Sequence, residues 1–361
     1  MINKQVTTII IKLGKNDNLN STVSTYNKIC QEIINYGFEN HTFNKNKLHY
    51  GTYKLIREKY PRFSSAMVQT ARDHASDMLK SLKFKVKPIK KEYSSIRYDK
   101  RCLSVMFDKK KISINTMFGR LKLPLNVADY YLKYKDWKYT NAQLIRRKYK
   151  NYFLNLQMEQ SPVEKQKEIK VLGIDVGIKN IATLSNNIFF NSKKLRNIKG
   201  KYQKQKSDLQ SKGTKSSKRK LKLISGKENR FVKNVNHIIS KQIVNLPYTL
   251  FAMENIKHIK TKRLNKTMRK NIGNWSFRKL MSFLEYKAER LGKSVIYINP
   301  RYTSQECSHC GFTDKNNRNN NLFHCNECGY ELHADLNASR NIARIGISDF
   351  VQGAVNHPNV A

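Results

Sequence analysis

The apolar positions of this chain change period along its length. Val6 to Ile11 form a strand-like run, after which Val23, Tyr26, Cys30, Ile33 and Ile34 recur at helical spacing over 22–36. Met67, Val68, Ala71, Ala75, Met78, Leu79 and Leu82 mark a second helix over 63–82. From about residue 83 the period drops to two. Leu103, Val105 and Phe107 alternate, "DKKK" turns the chain, Ile112 and Ile114 alternate, and "GRLKLPL" at 119–125 repeats the pattern. The first half of the chain therefore reads as a β-rich unit with a helical insert near its start.

The run "EQSPVEKQKE" then breaks the pattern as a linker would. Beyond it, Ile169, Val171, Leu172 and Ile174 read as a buried strand, followed by strands at 181–185 and 188–190 around an Asn186-Asn187 turn. A long basic helical region fills 193–245, with Phe231, Val235, Ile238 and Ile239 on one apolar face. The stretch "SKGTKSSKRK" inside it reads as a flexible, low-complexity loop. "YTLFAMEN" predicts a strand, 275–292 an amphipathic helix, and "SVIYIN" a fifth strand. A cysteine-bearing segment follows, and a last helix starts near Ala334. After Ile347 the tail is expected to be disordered. Three strands, helix, strand, helix, strand, helix is the element order of an RNase H-like domain. In such a sheet the first and fourth strands are parallel neighbours joined by a helical crossover.

That order gives meaning to the acids. Between residues 169 and 260 there are four: Asp175, Asp208, Glu228 and Glu254. Asp175 and Glu254 close the apolar runs "LGID" and "FAME", the ends of the first and fourth strands. A carboxylate beside a buried strand is costly unless a cation or hydrogen-bond donors hold it. Asp335 shares a helical face with Ala338, Ile342 and Ile345 and sits at the start of the last helix, where the dipole favours an acid. Each acid alone has a plain reading, a turn cap for Asp175 and a helix-start acid for Asp335. Together they predict a carboxylate cluster for two Mg²⁺ ions, which could activate a water and stabilise the leaving oxygen of a phosphodiester.

Charge points the same way. The 361 residues carry 70 Lys and Arg against 26 Asp and Glu, a net charge of +44, and are 39% hydrophobic. Such a chain has enough apolar residues for a folded core, and its excess charge calls for a polyanion, with nucleic acid as the leading partner. The interleaved tyrosines and cations of "IRRKYKNYF" suit phosphates and stacked bases, and equally suit a solvated surface over core tyrosines. Both readings stand on the sequence alone. The sequence shows no long apolar segment, lipidation signal or signal peptide. A cytoplasmic, nucleoid-associated protein away from membranes is therefore expected.

Of six cysteines, Cys30 and Cys102 lie in apolar patterns and read as core. Cys307, Cys310, Cys325 and Cys328 form two C-x-x-C-G knuckles separated by residues 311–324. Four thiolates at this spacing predict one structural, tetrahedral Zn²⁺. His309 and His324 flank ligands and read as outside the metal shell. His333 lies near Asp335 and is not assigned as a catalytic base.

"LGIDVGIKNIATLS", "MENI", "NWSFRKLMSFLEYKAERLGKSVIYINPRYTSQECSHCGF" and "HCNECGYELHADLNASRNI" together resemble the TnpB (OrfB) family of insertion-sequence nucleases, relatives of compact type V CRISPR effectors. The resemblance is specific over 169–345 and weaker over 1–168. It implies an α/β RuvC-like RNase H fold nuclease domain at 166–300 and 331–361, with a zinc-ribbon target-nucleic-acid-binding insert at 301–330. A β-barrel wedge domain at 1–17 and 83–165, with a helical recognition insert at 18–82, would precede it. The chain is short for the family, so a reduced insert is expected. The family's catalytic acids match Asp175, Glu254 and Asp335. The resemblance further implies an RNA-guided DNA endonuclease of a transposable element. Its guide RNA would come from the element end, and double-stranded DNA would be cut at guide-matched sites beside a short motif. The competing expectations are an autonomous three-acid transposase, a structure-specific nuclease without guide RNA, a guided binder with a silent nuclease, and a basic zinc-ribbon protein that packages RNA. The sequence is silent on oligomeric state.

Overall fold

The computed structural model describes residues 4–255 and 277–356. The chain divides into two compact units, Met1–Ser161 and Pro162–Ala361.

In the first unit, β1 (Gln5–Gly14) leads into three helices, α1 (Asp17–Glu39), α2 (Lys45–Lys59) and α3 (Ser65–Leu82). Strands β2 (Ile96–Tyr98), β3 (Leu103–Met106), β4 (Lys111–Thr116), β5 (Gly119–Pro124), β6 (Lys138–Arg146) and β7 (Tyr152–Gln160) follow, with a single turn of helix, α4 (Asp129–Leu132), before β6. They pair antiparallel in two sheets, β1-β7-β6-β2 and β3-β4-β5. Helices and strands share one core: Ile9, Ile33, Leu79, Leu144 and Leu156 belong to a single buried cluster. Cys30 and Cys102 are fully buried in it. Helix α2 escapes the sequence pattern because only Leu48, Thr52 and Ile56 are buried in fifteen residues. What starts it is local, the Asn44 side chain accepting from the Asn46 and Lys47 amides. In "IRRKYKNYF" the two sequence readings divide by residue. Tyr152 is buried, whereas Tyr149 at the β6–β7 turn is 81% exposed.

The second unit contains β8 (Val171–Asp175), β9 (Asn180–Leu184), β10 (Phe189–Asn191), α5 (Lys193–Lys212), α6 (Lys215–Val244), β11 (Leu250–Glu254), α7 (Phe277–Glu289) and β12 (Ser294–Ile298). After it come three short strands, β13 (Arg318–Asn319), β14 (Leu322–His324) and β15 (Glu331–His333), and the last helix, α8 (Ala334–Asn356). The main sheet runs β10-β9-β8-β11-β12. Its β8, β11 and β12 are parallel, while β9 and β10 are antiparallel additions. The first and fourth strands of this unit are thus adjacent and parallel.

Strand alternation sorts the two faces of this sheet. Leu172, Ile174, Phe251 and Met253 pack with Ile239 and Ile243 of α6 and Leu280 and Leu284 of α7. Ala252 and Ile298 pack with Ile342 of α8 on the other face. Gly173 lies under α8: a Cβ there would meet the Ser339 carbonyl oxygen at 2.0 Å and the Ala343 nitrogen at 2.6 Å. Its missing side chain sets how closely α8 approaches.

Three sequence expectations need correction. Strand β8 starts at Val171, and Ile169 is 49% exposed. The stretch 211–220 is no loop. Only Gly213 and Thr214 interrupt the helices, because Gly213 takes a left-handed turn (φ +64°) and Thr214 caps the Ser217 amide at 3.1 Å. The tail is helical to Asn356, with 357–361 outside the described residues. Residues 275–276 of the predicted amphipathic helix and Ile256 of "MENI" also lie outside them.

Candidate functional site

The strand pairing determines where two of the acids point. Val171 is opposite Leu250 and Gly173 opposite Ala252, so the register carries on to Asp175 and Glu254 at the ends of both strands. By alternation each shares a face with the residue two before it, Gly173 and Ala252, and that is the α8 face. Helix α8 begins with Ala334, which puts Asp335 in its first turn.

The three carboxyls are only partly exposed, and Asp175 feels the charge of the other two. Burial first, then the charges of Glu254 and Asp335, push the Asp175 carboxyl up to about 8. Burial also raises Glu254 above the usual carboxylate range, against a hydrogen bond from Thr303 and the charge of Arg318. Thr303 Oγ1 donates to Glu254 Oε1. Asp335 is held from two sides, by Arg318 at 3.0 Å on Oδ1 and by Asn180 Nδ2 at 3.0 Å on Oδ2. His333 Nδ1 accepts the Asp335 amide at 3.2 Å, so this ring fixes the helix start. Asp208 is exposed, and Glu228 pairs with Lys206; neither joins the three acids.

Thr303, Arg318 and Asn180 were missed by sequence reasoning. Arg318 stands in the polar run "KNNRNNN", where neither periodicity nor motif marks it. Only β13 pairing with β14 delivers it to Asp335.

The cysteine segment folds as two matched knuckles. Gly311 and Gly329 take positive φ angles of +82° and +68°, and their amides reach back to Cys307 and Cys325 carbonyls at 2.9 Å each. Cys307 Sγ lies 3.8 Å from Cys328 Sγ, and Cys310 Sγ 3.6 Å from Cys325 Sγ. Among the described residues, Cys307, Cys310, Cys325 and Cys328 bring their ligand atoms within 4.8 Å of one another and could hold a metal ion. His309 stacks on Tyr330 and His324 bonds Glu331, so both rings are used elsewhere. The segment is tied to α8: Asn337 and Asn341 both donate to the Glu306 carbonyl, at 2.8 and 2.7 Å. Among the described residues, no helix is long and apolar enough to cross a membrane.

Two family models match this chain. One, described as a probable transposase, covers residues 154–268, and the other, a Cas12f1-like TNB domain, covers 277–342. A TnpB-like protein of Methanocaldococcus jannaschii is 29% identical over 256 residues, 65% of this chain and 91% of that protein. A CRISPR-associated endodeoxyribonuclease Cas12f1 of Sulfoacidibacillus thermotolerans is 46% identical over 83 residues, 23% of this chain and 20% of the relative. The putative RNA-guided DNA endonuclease InsQ of Escherichia coli K12 is 25% identical over 275 residues, 63% of this chain and 64% of the relative. The chain thus spans a fifth of one of these relatives and nearly all of another. Among solved structures, the protein of a Cas12f1-sgRNA-target DNA complex shares the mixed α/β fold, with a TM-score of 0.57 and 16% identity over 90% of this chain and 82% of that one.

Proposed function

The chain is a TnpB (OrfB) relative, and from that premise we propose that it is an RNA-guided DNA endonuclease of a transposable element. Its RuvC-like nuclease domain would occupy 166–300 and 331–361, and the cysteine-bearing insert 301–330. The wedge and recognition parts would lie within the first 165 residues. One observation carries the catalytic reading: Asp175 and Glu254 end adjacent parallel strands on the α8 face, where burial raises both carboxyls and the charges of Glu254 and Asp335 raise Asp175 further. A structural role gives no reason to bring two acids together in so basic a protein. The chemistry of the donors fits Mg²⁺, which favours carboxylate oxygens together with water and phosphate.

Asp175, Glu254 and Asp335 would hold the ions. When bound, two Mg²⁺ supply activation of a water and charge stabilisation at the leaving oxygen of the phosphodiester. The chain's own residues orient the acids. Thr303 fixes one Glu254 oxygen, Asn180 and Arg318 fix the two Asp335 oxygens, and His333 holds the Asp335 backbone. Arg318 would also bring positive charge beside the acids, where a substrate phosphate would bind.

The four thiolates fit Zn²⁺. A tetrahedron with bonds of about 2.3 Å has edges of about 3.8 Å, close to the two sulfur separations. Zinc there would brace the segment that presents Thr303 and Arg318 to the acids.

Guide RNA from the element end would supply target choice, since phosphate contacts position and base pairing specifies. The test loads the protein with RNAs that differ only in the guide segment and maps cuts on a mixed DNA pool in Mg²⁺. Cuts that move with the guide, beside an unchanged motif, are expected. Cutting that is the same with every RNA, or that persists after all RNA is removed, overturns the guided reading in favour of an autonomous transposase or structure-specific nuclease.

A further inference from the structure

Two asparagines on α8 have no place in the catalytic reading. Asn337 and Asn341 lie one turn apart and are fully buried, beside Ala338 and Ile342. Asparagine is a poor helix former, and its amide is costly to bury unless its polar atoms are bonded. Asn337 meets that condition at both ends. Its Nδ2 donates to the Glu306 carbonyl at 2.8 Å, and its Oδ1 accepts from the Ser308 amide at 2.9 Å. Asn341 does not. Its Nδ2 donates to two carbonyls, Thr303 at 3.0 Å and Glu306 at 2.7 Å, while its Oδ1 is buried with no hydrogen-bond partner among the described residues. Turning the amide over would set Oδ1 against both carbonyls, so its orientation is fixed. A leucine would fill a similar space without stranding an oxygen, so packing does not explain the residue.

The bond to the Thr303 carbonyl matters because of what Thr303 holds. Tyr302, just before it, is kept at φ +66°, a left-handed conformation that a bulky residue adopts only under outside constraint. The Gln305 and Glu306 amides close this turn on the Tyr302 carbonyl, at 2.8 and 2.9 Å. Thr303 leaves the turn with its side chain buried and its hydroxyl donating to Glu254 Oε1. That hydroxyl has one proton and a second acceptor in reach, the Pro300 carbonyl at 3.2 Å. The set of the Thr303 backbone therefore decides which acceptor the proton serves.

We infer that Asn341 is a positioning residue for the metal-binding acids, acting through Thr303 to orient the Glu254 carboxylate. The inference rests on the two-Mg²⁺ reading of the acids above. Helix α8 thereby governs two of the three acids. It carries Asp335 in its own first turn and reaches Glu254 through Asn341 and Thr303.

The experiment measures Mn²⁺ binding to the full, RNA-free chain by electron paramagnetic resonance, since Mn²⁺ shares the oxygen preference of Mg²⁺. Removing a group that orients a metal ligand costs about 10–100-fold in metal affinity. Asn341→Leu, one link further out, removes the donor while filling its space and is expected to weaken Mn²⁺ binding about tenfold. Thr303→Val, which loses only the hydroxyl, should weaken it at least as much, and Thr303→Ser should restore it. The double variant should bind no more weakly than Thr303→Val alone, because both changes act on one carboxylate. A role confined to joining helix and insert predicts altered stability in urea melts with unchanged Mn²⁺ affinity. That result in folded Asn341→Leu, or losses that multiply in the double variant, overturns the inference. If Asn341→Leu does not fold, wild-type affinity in Thr303→Val overturns it instead. If Asp175→Ala leaves Mn²⁺ binding intact, the metal reading of the acids fails, and the inference with it.

Discussion

Replacing Gly173 with alanine should damage cleavage far more than folding. The new Cβ would lie 2.0 Å from the Ser339 carbonyl oxygen, 2.6 Å from the Ala343 nitrogen and 3.0 Å from the Ala343 Cβ. Two of these are backbone atoms of α8 and cannot swing away. A carbon–oxygen contact needs about 3.3 Å, so α8 must withdraw by about 1 Å. Asp335 precedes Ser339 by four residues, about one turn of the same helix, and is carried along. Overpacking of this kind costs about 1–3 kcal/mol, which a domain of ordinary stability survives. A shift of about 1 Å at a reacting centre can cost about 100-fold in rate. Gly200→Ala is the control: it sits on α5 with nothing within 4 Å of its Cβ and should stabilise by up to about 1 kcal/mol. The assay pairs single-turnover cleavage of guide-matched DNA at saturating Mg²⁺ with urea melts of both variants. A folded Gly173→Ala protein that cuts at the wild-type rate would show that the α8 approach does not set the site.

Asp175→Ala, Glu254→Ala and Asp335→Ala should each abolish cleavage in Mg²⁺ while nucleic-acid binding persists, and any variant that retains wild-type cutting removes that acid from the site. Between about pH 4 and 8 the folded state holds a proton on Asp175 that the unfolded chain has released, so without Mg²⁺ stability should fall as pH rises through this window, by up to about 1.4 kcal/mol per unit. Asp175→Asn should flatten that dependence in urea melts at pH 5 and 8, and an unchanged slope refutes the raised carboxyl. Cys325→Ser should lower the zinc content found by metal analysis and speed hydrogen exchange across 303–333, with slower cleavage through loosened Thr303 and Arg318; full zinc occupancy in the variant defeats this.

What the sequence by itself determined is whatever depends on local order. The C-x-x-C-G spacing depends on short-range geometry alone, and the structure does bring Cys307, Cys310, Cys325 and Cys328 together. Asp175 and Glu254 were legible as acids closing apolar runs because a strand's end is visible in its composition. Helix α2 was not legible, since burying only Leu48, Thr52 and Ile56 leaves too faint a stripe. The 211–220 stretch was misread because Lys, Ser and Gly together resemble a flexible tract, whereas lysine and arginine tolerate helices well and Gly213 merely turns the corner. Only tertiary structure decided that the register turns Asp175 and Glu254 toward α8, that Gly173 sets that helix's approach, and that Arg318, Thr303 and Asn180 reach the acids. These residues are polar and lie in irregular stretches or at a strand end, where no period constrains them. Their partners are 49 to 155 positions away along the chain for Thr303 and Asn180, so the contacts exist only once the sheet, the insert and the last helix have packed.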